Sequence, residues 1–358
     1  MNHTSFIAPA AYVQGPGVLD DAGRHFGGLA GERAYVLGGE TALSVAGERV
    51  SEGLREAGID VAETQRGVEK CTRPGIAAVA ERVETANADL VVGVGGGIAV
   101  DVATAAADAT GAELAAVPTI AATDAPTSTV GVVYDEMGNF EDVVLRERNP
   151  ELVLVDTETI AAAPARFLAH GMGDALATAF EAEAVARSGS ETVAGGEASP
   201  AALELARACL PRVREYGADA LAAVERDAVT PAVERIVETN TLLSGLGFES
   251  AGTAGAHAIQ IGLTNAGARE PHGELVAFGT VAQLVLEGRT EPAPRELVDL
   301  FSELGLANTL DDFGVTDAER VAEVACVEGM ADMPFDVSER AAADAVRTAD
   351  ALLAGSGR

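Results

Sequence analysis

Short β-rich runs alternate with helical stretches through about the first 160 residues, and this alternation limits the possible folds more than any other feature of the chain. The runs are 34–37 (AYVL), 59–61 (IDV), 90–94 (LVVGV), 115–117 (AAV) and 152–155 (LVLV). Strands separated by helices pair in parallel, so a parallel sheet flanked by helices is expected. At 131–134 (GVVY) and 140–144 (FEDVV) two runs flank the turn-like EMGN of 136–139, which predicts a β-hairpin. After Ala163-Pro164 the β-rich runs stop, and Ala/Leu/Glu segments at helical spacing follow at 200–215, 231–246, 275–286 and 337–353. The expected architecture is an α/β domain with a parallel sheet over 1–163 and an all-α domain over 164–358.

Composition excludes several function classes. With 24 basic against 56 acidic residues the net charge is −32, and the acids run along the whole chain, which excludes a nucleic-acid partner. Lys70 is the only lysine, tryptophan is absent and aromatics are 4%, a composition resembling that of salt-adapted proteins. In molar salt the Debye length falls to about 3 Å, so such a surface no longer repels itself. Cys71, Cys209 and Cys326 are odd in number and widely spaced, which fits a reducing compartment rather than a disulfide framework. Residues 1–15 lack the regions of a signal peptide and no apolar run reaches the roughly 20 residues that span a bilayer. A cytoplasmic protein with no membrane partner is expected.

Two segments carry chemistry. Residues 90–94 run directly into Gly95, Gly96 and Gly97, and a helical pattern follows over 98–108. Strand, glycine turn and helix form an anion cradle, because backbone N–H groups approach a phosphate closely and the helix dipole adds to the attraction. The pattern is not GxGxxG, and triple glycines also serve as plain tight turns. Beyond the run at 115–117 lies the polar segment 118–128 (PTIAATDAPTS), where Thr119, Thr123 and Ser128 can bond a nicotinamide, ribose or phosphate and Asp124 can accept from a substrate hydroxyl. An ordinary loop with Asx and Ser/Thr turns accounts for the same residues.

Histidine occurs only at 3, 25, 170, 257 and 272. Asp174, His257 and His272 offer one oxygen and two nitrogens, a set that suits zinc and leaves a coordination position open. Spacing alone fits equally well an aspartate at a helix start, a core imidazole and a loop histidine, since no short metal motif is present.

Longer matches name a family. Pro118-Thr119-Ile120-Ala121 with Thr123-Asp124-Ala125-Pro126, residues 163–168 leading to Gly171-Met172-Gly173-Asp174-Ala175-Leu176-Ala177-Thr178, residues 240–250 (NTLLSGLGFES), Ala256-His257-Ala258-Ile259 and His272-Gly273-Glu274 resemble the glycerol dehydrogenases of the metal-dependent (iron-containing type) alcohol dehydrogenase superfamily, nearly end to end. The resemblance implies a dehydroquinate synthase-like fold with a dinucleotide-binding first domain and the active site in the cleft between the two domains. It implies Zn²⁺ on Asp174, His257 and His272, NAD lined by Gly95, Gly96, Gly97, Thr119, Ser128, Val130 and Tyr134, and a small polyol flanked by Asp124 and Phe248. The implied reaction is oxidation of glycerol to dihydroxyacetone, in a homo-oligomer that is a dimer or octamer. Thr178, one turn after Asp174, stands where some iron-type relatives carry a further histidine.

The chain also departs from those relatives. Ile98 and Thr104 replace lysines, Gln260 replaces a histidine, and Gly39 stands where an aspartate usually accepts the adenosine ribose hydroxyls. Losing that aspartate removes a barrier to a 2′-phosphate, so NADP remains an alternative, although Glu40 is within reach of the ribose. Rival readings are a glycerol-1-phosphate dehydrogenase, against which the single lysine argues, and a non-catalytic acidic scaffold, against which the full ligand trio argues.

Overall fold

The computed structural model describes residues 3–355. Two compact units emerge: Ala8–Phe167 joined by Ala222–Thr241, and Leu168–Leu221 joined by 242–355 and the chain up to Ile7.

Six strands make the sheet of the first unit: β1 (Tyr12–Gly15), β2 (Arg33–Gly38), β3 (Asp60–Gln65), β4 (Leu90–Gly95), β5 (Glu113–Pro118) and β8 (Leu152–Asp156). They lie in the order β1-β8-β5-β4-β2-β3, and every pairing is parallel. Side chains alternate between the faces, so each face has its own core. Val36, Val92, Val94, Val117 and Leu154 pack on one side with Phe26, Val50 and Leu54, while Tyr35, Leu37, Val91 and Leu114 pack on the other with Val79, Val83 and Ala106. Burial on both faces explains why these strands read as continuous apolar runs. β1 escapes a sequence reading because its four residues are only half-buried and rely on register with β8, Tyr12 facing Val153.

Strand order decides where a ligand can sit. After β2 the chain crosses one face through the helix Gly47–Glu56, whose Val50 and Leu54 belong to the first core. After β4 it crosses the other face through the helix Gly97–Thr110, whose Ala103 and Ala106 belong to the second. β2 and β4 are neighbours, so their C-terminal loops part in opposite directions and open a crevice at the switch point.

The expected hairpin forms as β6 (Val130–Tyr134) and β7 (Phe140–Leu145), antiparallel with Val130 facing Leu145. The helix expected over 231–246 is interrupted: Pro231–Glu238 gives way to a π-helical turn, Thr239–Leu243, before Ser244–Ala251 continues. Side-chain competition for the backbone accounts for the break. The Thr239 and Thr241 hydroxyls donate to the carbonyls of Arg235 and Val237, and the Thr241 carbonyl accepts from Thr127 Oγ1 at 2.8 Å. Asn240 donates to the Ala121 carbonyl at 2.9 Å, so the π turn anchors the 118–128 segment from both ends. The second unit is helical among its described residues, as expected, and no helix there or elsewhere in the described chain is long and apolar enough to cross a membrane.

One buried carboxylate stands out in the α/β unit. Asp101, on the helix Gly97–Thr110, is 6% exposed and accepts from the Val132 N–H of the hairpin, but its Oδ1 has no protein partner; neither does the Thr104 hydroxyl one turn later. Burial pushes its pKa up to about 7. Because the folded value exceeds the unfolded one, stability is full below about pH 4 and is lost as pH rises towards 7, a penalty on the order of 4 kcal/mol above that. Asp101→Asn is therefore expected to melt higher than the parent at pH 8, with the gain shrinking steadily towards pH 5. A difference independent of pH in thermal melts at matched salt defeats this account.

Candidate functional site

The helix Ala165–Ser188 is buried from Leu168 through Ala182, yet it carries His170, Asp174, Thr178 and Glu181 at spacings of four, four and three, one stripe along one face. Burying such groups is costly unless each meets a polar partner: three are paired within 2.9 Å, while Asp174 Oδ1 accepts no hydrogen bond and faces two imidazoles at ion-pair distance. His170 Nε2 lies 2.9 Å from Glu274 Oε1, and Thr178 Oγ1 is 2.8 Å from Ser244 Oγ. Asp174 Oδ1 sits 3.4 Å from His257 Nε2 and 3.3 Å from His272 Nε2. Glu181 Oε2 lies 2.6 Å from His257 Nδ1.

Asp174, His257 and His272 thus converge, with one ligand atom from each lying within 4.8 Å of the others. Asp174 is fully buried, while the two imidazoles keep 18% and 28% of their side-chain surface open, so the group is held from below and reached from one side. Burial alone would raise the Asp174 pKa, but the two imidazoles outweigh it and hold the carboxyl far below its usual range. For His257 burial works to lower the pKa, and the carboxylates of Glu181 and Asp174 overcome it and raise the value well above normal. A carboxylate flanked by two imidazoles, one itself backed by a carboxylate, fits the ligand chemistry of a borderline divalent cation.

Glycine lets the helices that carry these three residues approach closely. Cβ atoms added at Gly173 and Gly273 would stand 2.4 Å from the Gly273 carbonyl oxygen and 1.9 Å from that of His170, and one at Gly279 would stand 2.2 Å from the Ala256 carbonyl oxygen. The helix His272–Leu286 therefore touches both the helix Ala165–Ser188 and the helix Gly255–Asn265 backbone to backbone. Pro271 precedes His272, which opens its helix at the contact with the Asp174 helix.

Most of the other candidate site residues belong to the first unit. Gly95, Gly96 and Gly97 form the turn from β4 into its helix. Gly95 has φ +151°, a Cβ there would stand 2.9 Å from Ala99 Cβ, and one on Gly96 would stand 2.7 Å from Ile120 Cδ1. Gly96 caps the helix without a side chain. At Gly95 an added side chain would be strained by the positive φ and crowded by Ala99, and at Gly96 it would displace the end of Ile120. Thr119 donates its N–H to the Gly95 carbonyl at 3.1 Å, which ties the β5 loop to the turn. Asp124, 8% exposed, heads a short 3₁₀ turn that its own side chain does not cap. Ser128 Oγ accepts from the Val130 N–H, which opens β6, and Tyr134 ends that strand with its N–H on the Cys71 carbonyl. Phe248, half-buried on Ser244–Ala251, lies in the same unit as the trio. Gln260 bonds Thr264 within its own helix. Glu40 pairs at 3.8 Å with Arg66, and Gly39 is extended, where an added Cβ would meet nothing nearer than the Val68 carbonyl at 3.8 Å.

Sequence reasoning missed Glu181. The available signal was an acid seven residues after Asp174, two turns along an otherwise apolar helix.

The glycine contacts make a sharp prediction. Propensity favours Gly273→Ala by up to about 1 kcal/mol, yet the overlap forces the helices apart at a cost of roughly 1–3 kcal/mol, so the substitution should destabilise. It should also lower retained divalent metal, read by atomic emission after gel filtration; an unchanged melt and metal content would refute the close-contact argument.

Known proteins match this architecture. The family model described as iron-containing alcohol dehydrogenase matches residues 9–157. A glycolaldehyde reductase of Halobacterium salinarum is 44% identical, over 97% of both chains. A glycerol dehydrogenase of Escherichia coli O6:H1 is 43% identical over 90% of this chain and 89% of its own. The crystal structure of a probable glycerol dehydrogenase from Sinorhizobium meliloti 1021 superposes with a TM-score of 0.91 at 38% identity, covering 98% of this chain and 99% of that one. With end-to-end similarity of this degree behind the sheet, the glycine turn and the ligand trio, the chain belongs to the iron-containing alcohol dehydrogenase family.

Proposed function

We propose that this protein is a zinc-dependent oxidoreductase that oxidises glycerol to dihydroxyacetone and passes the hydride to NAD. The convergence of Asp174, His257 and His272 within 4.8 Å, from three distant segments, carries the reading. One oxygen and two nitrogens suit Zn²⁺ with a position left for substrate. A divalent cation bound there acidifies a substrate hydroxyl and offsets charge on its oxygen, while NAD accepts the hydride.

The protein's own groups bind and orient. N–H groups around Gly95, Gly96 and Gly97 receive the pyrophosphate, aided by the dipole of the 14-residue helix behind them. Thr119, Ser128, Val130 and Tyr134 line the remainder of the cofactor's site. Asp124 accepts from a polyol hydroxyl and Phe248 packs against the carbon chain. Glu40 meets the ribose hydroxyls and its carboxylate disfavours a 2′-phosphate, an effect that Arg66, 3.8 Å away, partly offsets.

A second reading has its own support. The Halobacterium salinarum relative is a glycolaldehyde reductase, and glycolaldehyde presents the same pair of adjacent oxygens as glycerol. Reduction of an α-hydroxyaldehyde is the same hydride step run backwards. The acidic composition, the single lysine and the odd number of widely spaced cysteines support a cytoplasmic, salt-adapted protein, and the family resemblance supports a homo-oligomer, dimer or octamer.

In several molar KCl, NADH formation from glycerol should vanish on chelation and return with Zn²⁺. Faster glycolaldehyde reduction than glycerol oxidation in the same preparation favours the second reading, and a metal-loaded protein inert to both defeats the proposal. At equal concentration NAD should outperform NADP by about tenfold, and Glu40→Gln should narrow the gap; the reverse preference removes Glu40 from the cofactor's site. Asp124→Asn should depress kcat while leaving KM for NAD nearly unchanged, and an unaltered kcat would exclude Asp124 from the chemistry.

A further inference from the structure

The helix Gly255–Asn265 begins at Ala254, whose side chain caps nothing. Its first amides are served instead by side chains from other helices. Glu181 Oε1 accepts from the Ala254 N–H at 2.8 Å and the His257 N–H at 2.9 Å, and Gln283 Oε1 accepts from the Ala256 N–H at 2.8 Å. The second oxygen of Glu181, Oε2, meets His257 Nδ1 at 2.6 Å. One fully buried carboxylate therefore grips both the backbone and the ring of the same candidate ligand.

We propose that Glu181 is the positioning residue for His257, fixing the tautomer that leaves Nε2 bare towards Asp174 and so setting the affinity of the trio for its cation. The inference rests on the trio holding a divalent cation. A carboxylate only accepts, so Nδ1 must donate, and once Nε2 gives up its proton it stays free as a ligand. Side chains behind ligating histidines typically govern metal affinity by about 10- to 100-fold.

Glutamine at 181 separates orientation from capping. If its oxygen stays on the two backbone N–H groups, its amide donates to Nδ1, and the ring hydrogen must move to Nε2, where it blocks the ligand position. If the amide flips, its NH₂ faces two N–H donors. Either arrangement impairs the metal site, while the first leaves the helix cap intact. Gln283→Ala is the complementary control, since Gln283 caps the same helix end and does not bond the His257 ring.

The test is metal affinity, measured by competition with a chromophoric chelator in high salt, with melting of the metal-free proteins and Co²⁺ NMR alongside. Glu181→Gln is expected to weaken Zn²⁺ binding by about 10- to 100-fold with a metal-free melt close to the parent's. It should also speed solvent exchange of the hyperfine-shifted ring N–H signal of Co²⁺-bound His257, which loses its carboxylate acceptor. Gln283→Ala should lower the melt and leave metal affinity within about twofold. Metal affinity of Glu181→Gln equal to the parent's, or Nδ1 rather than Nε2 ligation in the parent, overturns the proposal. Should Glu181→Gln fail to fold, ¹⁵N-edited spectra of the parent's Co²⁺ form decide: an N–H on His257 Nδ1 that exchanges slowly with solvent supports the proposal, and an N–H on Nε2 or a rapidly exchanging Nδ1–H overturns it. None of these readouts involves glycerol, so a parent that binds metal tightly yet turns over no polyol would sink the functional reading and leave this one standing.

Discussion

Backbone contact between helices is the constraint on which the helical unit depends. Gly173 and Gly273 each stand where a single methyl group would overlap the opposing helix, and Gly279 does the same against Ala256. Only at that spacing can the short side chain of Asp174 reach two imidazoles carried on other helices, at 3.3 and 3.4 Å. Close helix packing and ligand convergence are one fact seen at two scales. The polar stripe on Ala165–Ser188 then follows, since a helix this deeply buried must satisfy every charged group it carries, and each partner it recruits also locates a neighbouring helix. His170 holds Glu274, Thr178 holds Ser244, and Glu181 holds the start of the His257 helix.

In the α/β unit the equivalent constraint is strand order. Placing β2 beside β4 sends their following helices to opposite faces, and the glycine turn occupies the C-terminal end of one of these strands. The π turn completes the arrangement from a distance of more than a hundred residues, because Asn240 and the Thr241 carbonyl hold the loop that carries Asp124.

Legibility in the sequence followed the range of the interaction. The central strands were readable because burial on both faces leaves unbroken apolar runs such as 90–94, and the hairpin was readable from its turn. β1 was not, because four half-buried residues acquire strand character only beside β8. The π turn was not, because it depends on Thr127 and Ala121, distant partners for residues whose local pattern is helical. For the site, spacing alone left Asp174, His257 and His272 undecided, and the family resemblance joined them. Glu181 was hidden because an acid in a helix ordinarily faces solvent; only the burial of all sides of that helix reveals that it must have a partner.

The scarcity of lysine has a counterpart in the interior. Screening by molar salt acts on exposed charge and leaves buried pairs nearly untouched. Replacing lysine throughout therefore has little consequence outside, but inside it removes a long cation that no other residue reproduces. The resemblance implies a lysine at position 104, one turn beyond Asp101, and here Thr104 ends in a hydroxyl with no protein partner while Asp101 retains an oxygen in the same condition. Burial without a cation holds that carboxyl near pH 7, whereas Asp174, equally buried but facing two imidazoles, stays ionised far below its usual range. The two aspartates differ in partners rather than in depth: Asp101 faces no cation, and Asp174 faces the imidazoles of His257 and His272.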